Sequence, residues 1–235
     1  MRRKPTVTAP GLVGALVIGG WGALYIFLMA SDRTFLYLSP RTAWLVPVGA
    51  IILAIAFFGR IFFVRDQPTL SGKQALGSAL VVLPVVVVLA LPPASLDSFA
   101  AGRRSSFASA AFVTSVEDIA TGDLTLADIA GAVRSDEAMA ALAGRAGAEV
   151  SFVGFVTREP TSPADEFVLT RFLISCCVAD ALSVQVRIVG APPGQFKSDD
   201  WVRVTGSLYP LESEVVIDAA EVIEVPKPER PYLNP

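Results

Sequence analysis

Gly11–Met29 reads GLVGALVIGGWGALYIFLM, inside a run without charge between Lys4 and Asp32. A helix rises about 1.5 Å per residue, so this run is long enough to cross a hydrocarbon layer roughly 30 Å thick. The stretch predicts a first transmembrane span, about 11–29. Further along, Thr42–Gly59 is again uncharged, and Ile61–Val64 (IFFV) extends it if Arg60 reaches the membrane surface along its own aliphatic stem. That predicts a second span, about 42–64. Leu76–Leu91, LGSALVVLPVVVVLAL, gives a third, about 76–91; its Pro84 is tolerated in a membrane helix. Arg2, Arg3 and Lys4 before the first run resemble the start of a cleaved leader. The run is too long for one, lacks an A-x-A end and is followed by two more spans, so a retained helix is expected. A chain that is 53% hydrophobic and 17% charged belongs to the membrane class.

Lys and Arg near the span ends set orientation. Arg2, Arg3, Lys4, Arg60, Arg65 and Lys73 fall on one side, and Arg33, Arg41, Arg103 and Arg104 on the other. The bias favours a cytoplasmic N-terminus, and three crossings then put everything after Leu91 outside. Residues 1–92 carry a net charge of +6 and the remainder −9. Nucleic acid is therefore not an expected partner, because phosphate-backbone binding depends on Lys and Arg displacing counterions.

After Pro92–Ser95 (PPAS) the composition changes. The expected organisation is a membrane region at 1–92, a linker at 93–121 with a short strand at Phe112–Val116, and an outer domain at 122–235. In that domain Leu126, Ile129, Ala130 and Val133 recur at helical spacing behind the cap pair Thr125 and Asp128, and a second short helix starts at Ser135 or Asp136. Five strand-like runs follow: 149–158, 166–178, 182–189, 201–209 and 214–225. They are rich in Val, Ile, Phe and Thr and are separated by Pro, Gly, Asp and Ser. Five short strands in so compact a segment predict an OB-like five-stranded β-barrel within an α+β domain, although GAPPGQFKSDD between strands three and four has no room for a helix.

Both cysteines stand together in Ser175–Ala181, SCCVADA. If the second strand runs regularly to Val178, its side chains alternate. Val168, Thr170, Phe172, Ile174, Cys176 and Val178 then face the core, and Cys177 faces away. Four roles remain open: packing, a vicinal disulfide through a distorted peptide, a metal site, and a thiol-redox role, which would need a cysteine of depressed pKa although no C-x-x-C or histidine is there to lower it. There is no histidine, so a metal site would draw on Cys177 and Asp180, with Asp218 or Glu221 to complete it; zinc accepts such a thiolate and carboxylate set. Arg171 is expected to pair with Glu166 or Asp180. Asp199-Asp200 reads as a turn entering a strand, since the spaced acidic ligands of a calcium loop are missing. Without histidine no Ser-His-Asp triad is possible, and no phosphate-binding or dinucleotide glycine pattern occurs; no enzymatic activity and no cofactor other than zinc are expected.

Three hydrophobic segments, then FVGFV at Phe152–Val156, RFLISCCVADA at Arg171–Ala181 and DDWVRVTGSL at Asp199–Leu208, resemble the YcgQ-like bacterial membrane proteins, described as permease subunits. The resemblance implies a companion role beside a separate multispanning permease of the YcgR-like type. Its motif falls here on Arg171, Cys176, Cys177, Asp180 and Ala181. The topology has a direct check: a reporter that works only in the cytoplasm, fused after Pro235, should be silent. Activity there would mean a reversed or two-span arrangement.

Overall fold

The computed structural model describes residues 9–63, 71–91, 95–103, 115–158, 161–211 and 214–234. The chain divides into two compact units, Met1–Ala94 and Ser95–Pro235.

The first unit holds three helices long and apolar enough to cross a membrane: α1 (Ala9–Ala30), α2 (Leu45–Phe63) and α3 (Gly72–Ala90). They overlap the three expected spans, although α2 begins only at Leu45, after a turn over 42–44, and α3 ends at Ala90. The third begins earlier than its hydropathy suggests, because Ser71 caps it: its hydroxyl accepts from the Gln74 N–H while the Gln74 side chain accepts from the Ser71 N–H. The end of the second expected span, at Val64, lies outside the described residues. Outward faces carry Ile51, Ile52, Ile55 and Phe62, as helices in hydrocarbon do.

Helix α1 packs against both α2 and α3. Gly14 lets α1 approach α2, since a Cβ there would stand 2.7 Å from the Arg60 guanidinium. Arg60 thus lies along the neighbouring helix. Between α1 and α3, the Trp21 indole N–H donates to the Val81 carbonyl at 3.1 Å, one residue beyond the Leu80 carbonyl that Pro84 deprives of its helical donor.

In the second unit four short helices, α4 (Ser98–Ala101), α5 (Val116–Thr121), α6 (Leu126–Ala132) and α7 (Asp136–Ala143), precede six strands. Each helix starts at a polar cap: Asp97, Ser115, Thr125 and Ser135 accept from the N–H three residues on. Helices α4 and α5 fall within the stretch expected as linker. Of the strand expected at Phe112–Val116, Phe112–Thr114 lie outside the described residues and Val116 begins α5. Helix α6 stops one residue short of its expected last apolar position. Ala132 is buried and Val133 is exposed at the turn, because the chain must swing toward the cap of α7.

The strands are β1 (Glu149–Thr157), β2 (Phe167–Leu173), β3 (Leu182–Val189), β4 (Trp201–Pro210), β5 (Val215–Glu224) and β6 (Tyr232–Leu233). Their order, β1-β4-β5-β3-β2-β6 with β1 also paired to β2, closes a five-stranded mixed barrel of OB-like topology, with β3 and β5 parallel. No helix lies between β3 and β4, as the length of that connection requires. Alternate residues such as Val184, Val186, Ile188, Val202, Val204 and Leu208 fill the interior, and Ile129 and Leu142 of α6 and α7 pack into the same core. A bulge at Ala220 of β5, opposite Thr205/Gly206 of β4, helps the sheet curl, and Gly206 is required because a Cβ would collide with the Asp218 carbonyl.

Ile119 of α5 is 2% exposed in that core, and the Arg145 guanidinium donates to the Ile119 and Gly122 carbonyls. A fragment starting at Ser95 should therefore fold alone with a β-dominated circular dichroism spectrum. One starting at Gly122 should be less stable by about 2–3 kcal/mol from the lost isoleucine alone. Equal denaturant midpoints would show that α5 adds nothing to the barrel.

Candidate metal centre

The expected second strand, 166–178, is cut short. Strand β2 ends at Leu173, where the C-terminal β6 lies beside it in parallel register (Phe172 with Tyr232, Leu173 with Leu233), and the Ile174 N–H donates to the Leu233 carbonyl at 3.0 Å. Beyond Ile174 the chain bends, makes a 3-10 turn at Val178–Asp180 and enters β3. The N–H groups of Ser175, Cys176 and Cys177 need new acceptors once they leave the ladder, and the Asp180 carboxylate receives all three. Ser175 donates to Oδ1 at 3.0 Å; Cys176 and Cys177 donate to Oδ2 at 2.7 and 3.4 Å. Asp180 thus clasps the bend from its far side.

This overturns the strand alternation expected for the cysteines. Ile174 still points inward at 1% exposure, but Cys176 is exposed instead of buried, and Cys177 is partly exposed beside it. The two sulfurs lie on the same side, with the Cys176 thiol donating to Cys177 Sγ at 3.7 Å. Within β2 it is Phe167, Leu169 and Leu173, the series expected to face away, that enter the barrel core, while Phe172 and Ile174 enter a second, smaller one and Val168 is partly exposed; beyond Leu173 the strand has ended and alternation no longer applies. One sulfur of each cysteine and one carboxylate oxygen of Asp180 lie within 4.8 Å of one another. The expected ligands Cys177 and Asp180 come together, and Cys176 joins them. Asp218 and Glu221 do not. Both lie on β5, and Asp218 lines a surface groove of about 420 Å³ with Arg187 and Tyr209.

The electrostatics follow from the clasp. The Asp180 carboxylate, then the Cys177 sulfur, hold the Cys176 proton in place and push its pKa up to about 11. For Asp180, partial burial opposes ionisation. The hydrogen bonds from the Cys176 thiol and from the N–H groups of Cys176, Ser175 and Cys177 outweigh it and hold the carboxyl below the usual carboxylate range. A free Cys176 is consequently a poor nucleophile at neutral pH, since the thiolate is the reactive form.

Arg171 belongs to the scaffold. The expected partners are absent: Glu166 instead pairs with Arg187 at 2.6 Å, and Asp180 is occupied at the bend. The Arg171 guanidinium donates to the Pro231 and Arg230 carbonyls at 3.0 and 2.9 Å and lies over the Trp201 ring, pinning the tail that carries β6. Burial pushes its pKa down. Asp199 and Asp200 do form the expected turn, Asp200 accepting from the Lys197 N–H. Sequence reading missed α4, α5 and β6. Asp97 three residues before Ala100 is a cap signal for the first, whereas a two-residue strand leaves no period to read.

Four substitutions separate these roles. Cys176→Ser and Cys177→Ser should leave the melting temperature at neutral pH little changed, because neither sulfur is in the core and a serine hydroxyl at 176 can still donate to Asp180. Asp180→Ala should cost about 1 kcal/mol as three backbone donors lose their acceptor, and Arg171→Ala about 2–3 kcal/mol from the loss of its charged hydrogen bonds. The pH dependence has two signs. The Asp180 contribution is present above the ordinary carboxyl pKa near 4 and is lost as pH falls through its depressed value. The raised Cys176 pKa gives a contribution present below the ordinary thiol value of 9.0 and lost as pH climbs through about 11. Thermal melts of the Ser and Ala variants across pH check all four.

Residues 136–235 match the family described as the DUF1980 C-terminal domain, a match consistent with the YcgQ-like resemblance. It begins at the first residue of α7 and takes in the whole barrel, Arg171, both cysteines and Asp180. No curated protein and no solved structure matches the chain.

Proposed function

We propose that this membrane protein is an accessory subunit whose extracytoplasmic barrel captures a tetrahedral, thiophilic metal ion at Cys176, Cys177 and Asp180 and passes it to a separate multispanning permease of the YcgR-like type. The observation that carries the reading is the 3.7 Å separation of the two sulfurs. Two thiolates about 2.3 Å from a tetrahedral zinc ion stand about 3.8 Å apart, whereas a linear pair at the same bond length would stand about 4.6 Å apart. The bend holds its thiols at the spacing that suits Zn²⁺.

Three protein ligands leave one position open, which suits an ion that must be given up again. Binding removes the thiol protons, Cys176 gives up its hydrogen bond to Asp180, and the carboxylate turns from clasping the thiol toward the ion. The helices α1, α2 and α3 contain no carboxylate that could escort a cation through the membrane, which supports a route in a partner. The extracytoplasmic placement rests on the Lys/Arg bias of the span ends. The thiol-redox reading is supported less, because the thiolate it needs is suppressed at Cys176. On this reading the protein is not an enzyme.

Calorimetric titration of the full chain in detergent with Zn²⁺ tests it. One ion per chain should bind with proton release, and affinity should rise with pH throughout the neutral range because the Cys176 thiol is still protonated there. Cys176→Ser and Cys177→Ser should each weaken binding at least about tenfold. Absence of binding, or undiminished affinity in either serine variant, would overturn the reading.

A further inference from the structure

The barrel has a second, smaller hydrophobic core. It contains Ala101, Phe155, Phe172, Ile174, Ala181 and Tyr232, with Leu96, Ala100, Val178 and Trp201 packed against it. Two parts of the chain far apart in sequence meet there. Ile174, Val178 and Ala181 bracket the Cys176–Cys177 bend on both sides, while Leu96, Ala100 and Ala101 belong to the segment that follows the last membrane helix. Tyr232 links them. Its ring fills the core, its strand pairs with β2 just before the bend, and its hydroxyl oxygen accepts from the Leu96 N–H at 3.1 Å.

Among the described residues, the segment 95–103 has few other contacts. Helix α4 is only four residues long, and Phe99 is 69% exposed with Arg103 over its ring. Beyond the shared core its long-range anchor is Ser98, whose N–H and hydroxyl donate to the Asp199 carboxylate at 2.7 and 2.9 Å. Segments with few buried contacts open locally at low free-energy cost, and a close-packed core passes a change on one wall to the other.

We propose that the metal site and this membrane-proximal segment are one cooperative unit, so that loading the thiol pair tightens the piece of chain by which the barrel is joined to α3. The inference rests on the metal-capture reading above. An ion fixes the angle between the two sulfurs and thereby the backbone of the bend. Val178 and Ala181 on one side and Ile174 on the other are then held against Tyr232, Ala100 and Ala101. Opening of the segment comes to require opening of the loaded bend, and linkage sets the size of the effect. Metal at a hundredfold excess over its Kd suppresses such an opening by up to about a hundredfold. The unit converts occupancy of an outer site into stiffness of the connection to the membrane, a signal that a membrane partner can sense.

Amide hydrogen exchange of the full chain in detergent, with and without Zn²⁺, tests the coupling, alongside calorimetry on the same samples. Zn²⁺ should slow exchange at residues 96–101 by tenfold or more while leaving α7 unchanged. The effect should vanish in the Cys176→Ser/Cys177→Ser double variant. Tyr232→Phe keeps the ring in the core but removes the Leu96 acceptor; it should retain Zn²⁺ affinity and lose most of the slowing at 96–101. Zn²⁺ bound by calorimetry with exchange at 96–101 unaltered would overturn the coupling and leave metal capture standing. No Zn²⁺ binding at all would overturn both, and slowing spread equally over α7 would replace the local coupling with global stabilisation.

Discussion

A strand that leaves a barrel must find new acceptors for its N–H groups, and at the end of β2 a single carboxylate supplies them. The three N–H groups that Asp180 gathers from Ser175, Cys176 and Cys177 turn the chain out of the sheet while Ile174 stays in the core. These groups are exposed or only part-buried, so the carboxylate shapes the bend at a modest gain, about 1 kcal/mol in all. Everything distinctive about the site follows. The sulfurs share a side because the backbone turns between them, and the Cys176 proton is held because the clasp is an anion.

The motif residues thereby separate into different tasks. Arg171 holds the C-terminal tail by donating to its carbonyls, and that tail supplies the parallel strand that ends β2. Asp180 shapes the bend. The cysteines, freed from packing, are left for chemistry. Arg171 and Cys176 lie close in sequence, yet one acts on the scaffold and the other at its surface.

The membrane unit is built on a simpler constraint. Lipid offers no hydrophobic drive for helices to associate, so contacts depend on close approach and on polar groups. Gly14 beneath the Arg60 guanidinium and the Trp21 indole bonded to the Val81 carbonyl are such contacts, and both involve α1. The central helix of the contact pattern is also the first in the chain, so α2 and α3 fold back on it in turn.

The three spans, the helical caps at Thr125 and Ser135, and the five barrel strands were legible in the sequence because each rests on a local rule: hydrocarbon thickness, satisfaction of helix-end N–H groups, and side-chain alternation on a pleated sheet. The strand order and the parallel contact of β3 with β5 agree with the OB-like expectation for the same reason, since alternation leaves few ways for five short strands to close. The site was not legible. Period-two reasoning placed Cys176 inside and Cys177 outside, and it failed on two counts: the barrel core takes Phe167, Leu169 and Leu173, the series expected to face away, and beyond Leu173 the chain bends around a carboxylate that reaches backward along it. Likewise Glu166 and Asp180 were candidate partners for Arg171 by charge, whereas the fold offered it the carbonyls of Arg230 and Pro231. The sequence by itself determined which segments form helices long and apolar enough to cross a membrane, which form the barrel and which carry sulfur. Only tertiary structure decided that the two sulfurs face the same way, because that depends on where a backbone far from them in sequence comes to lie.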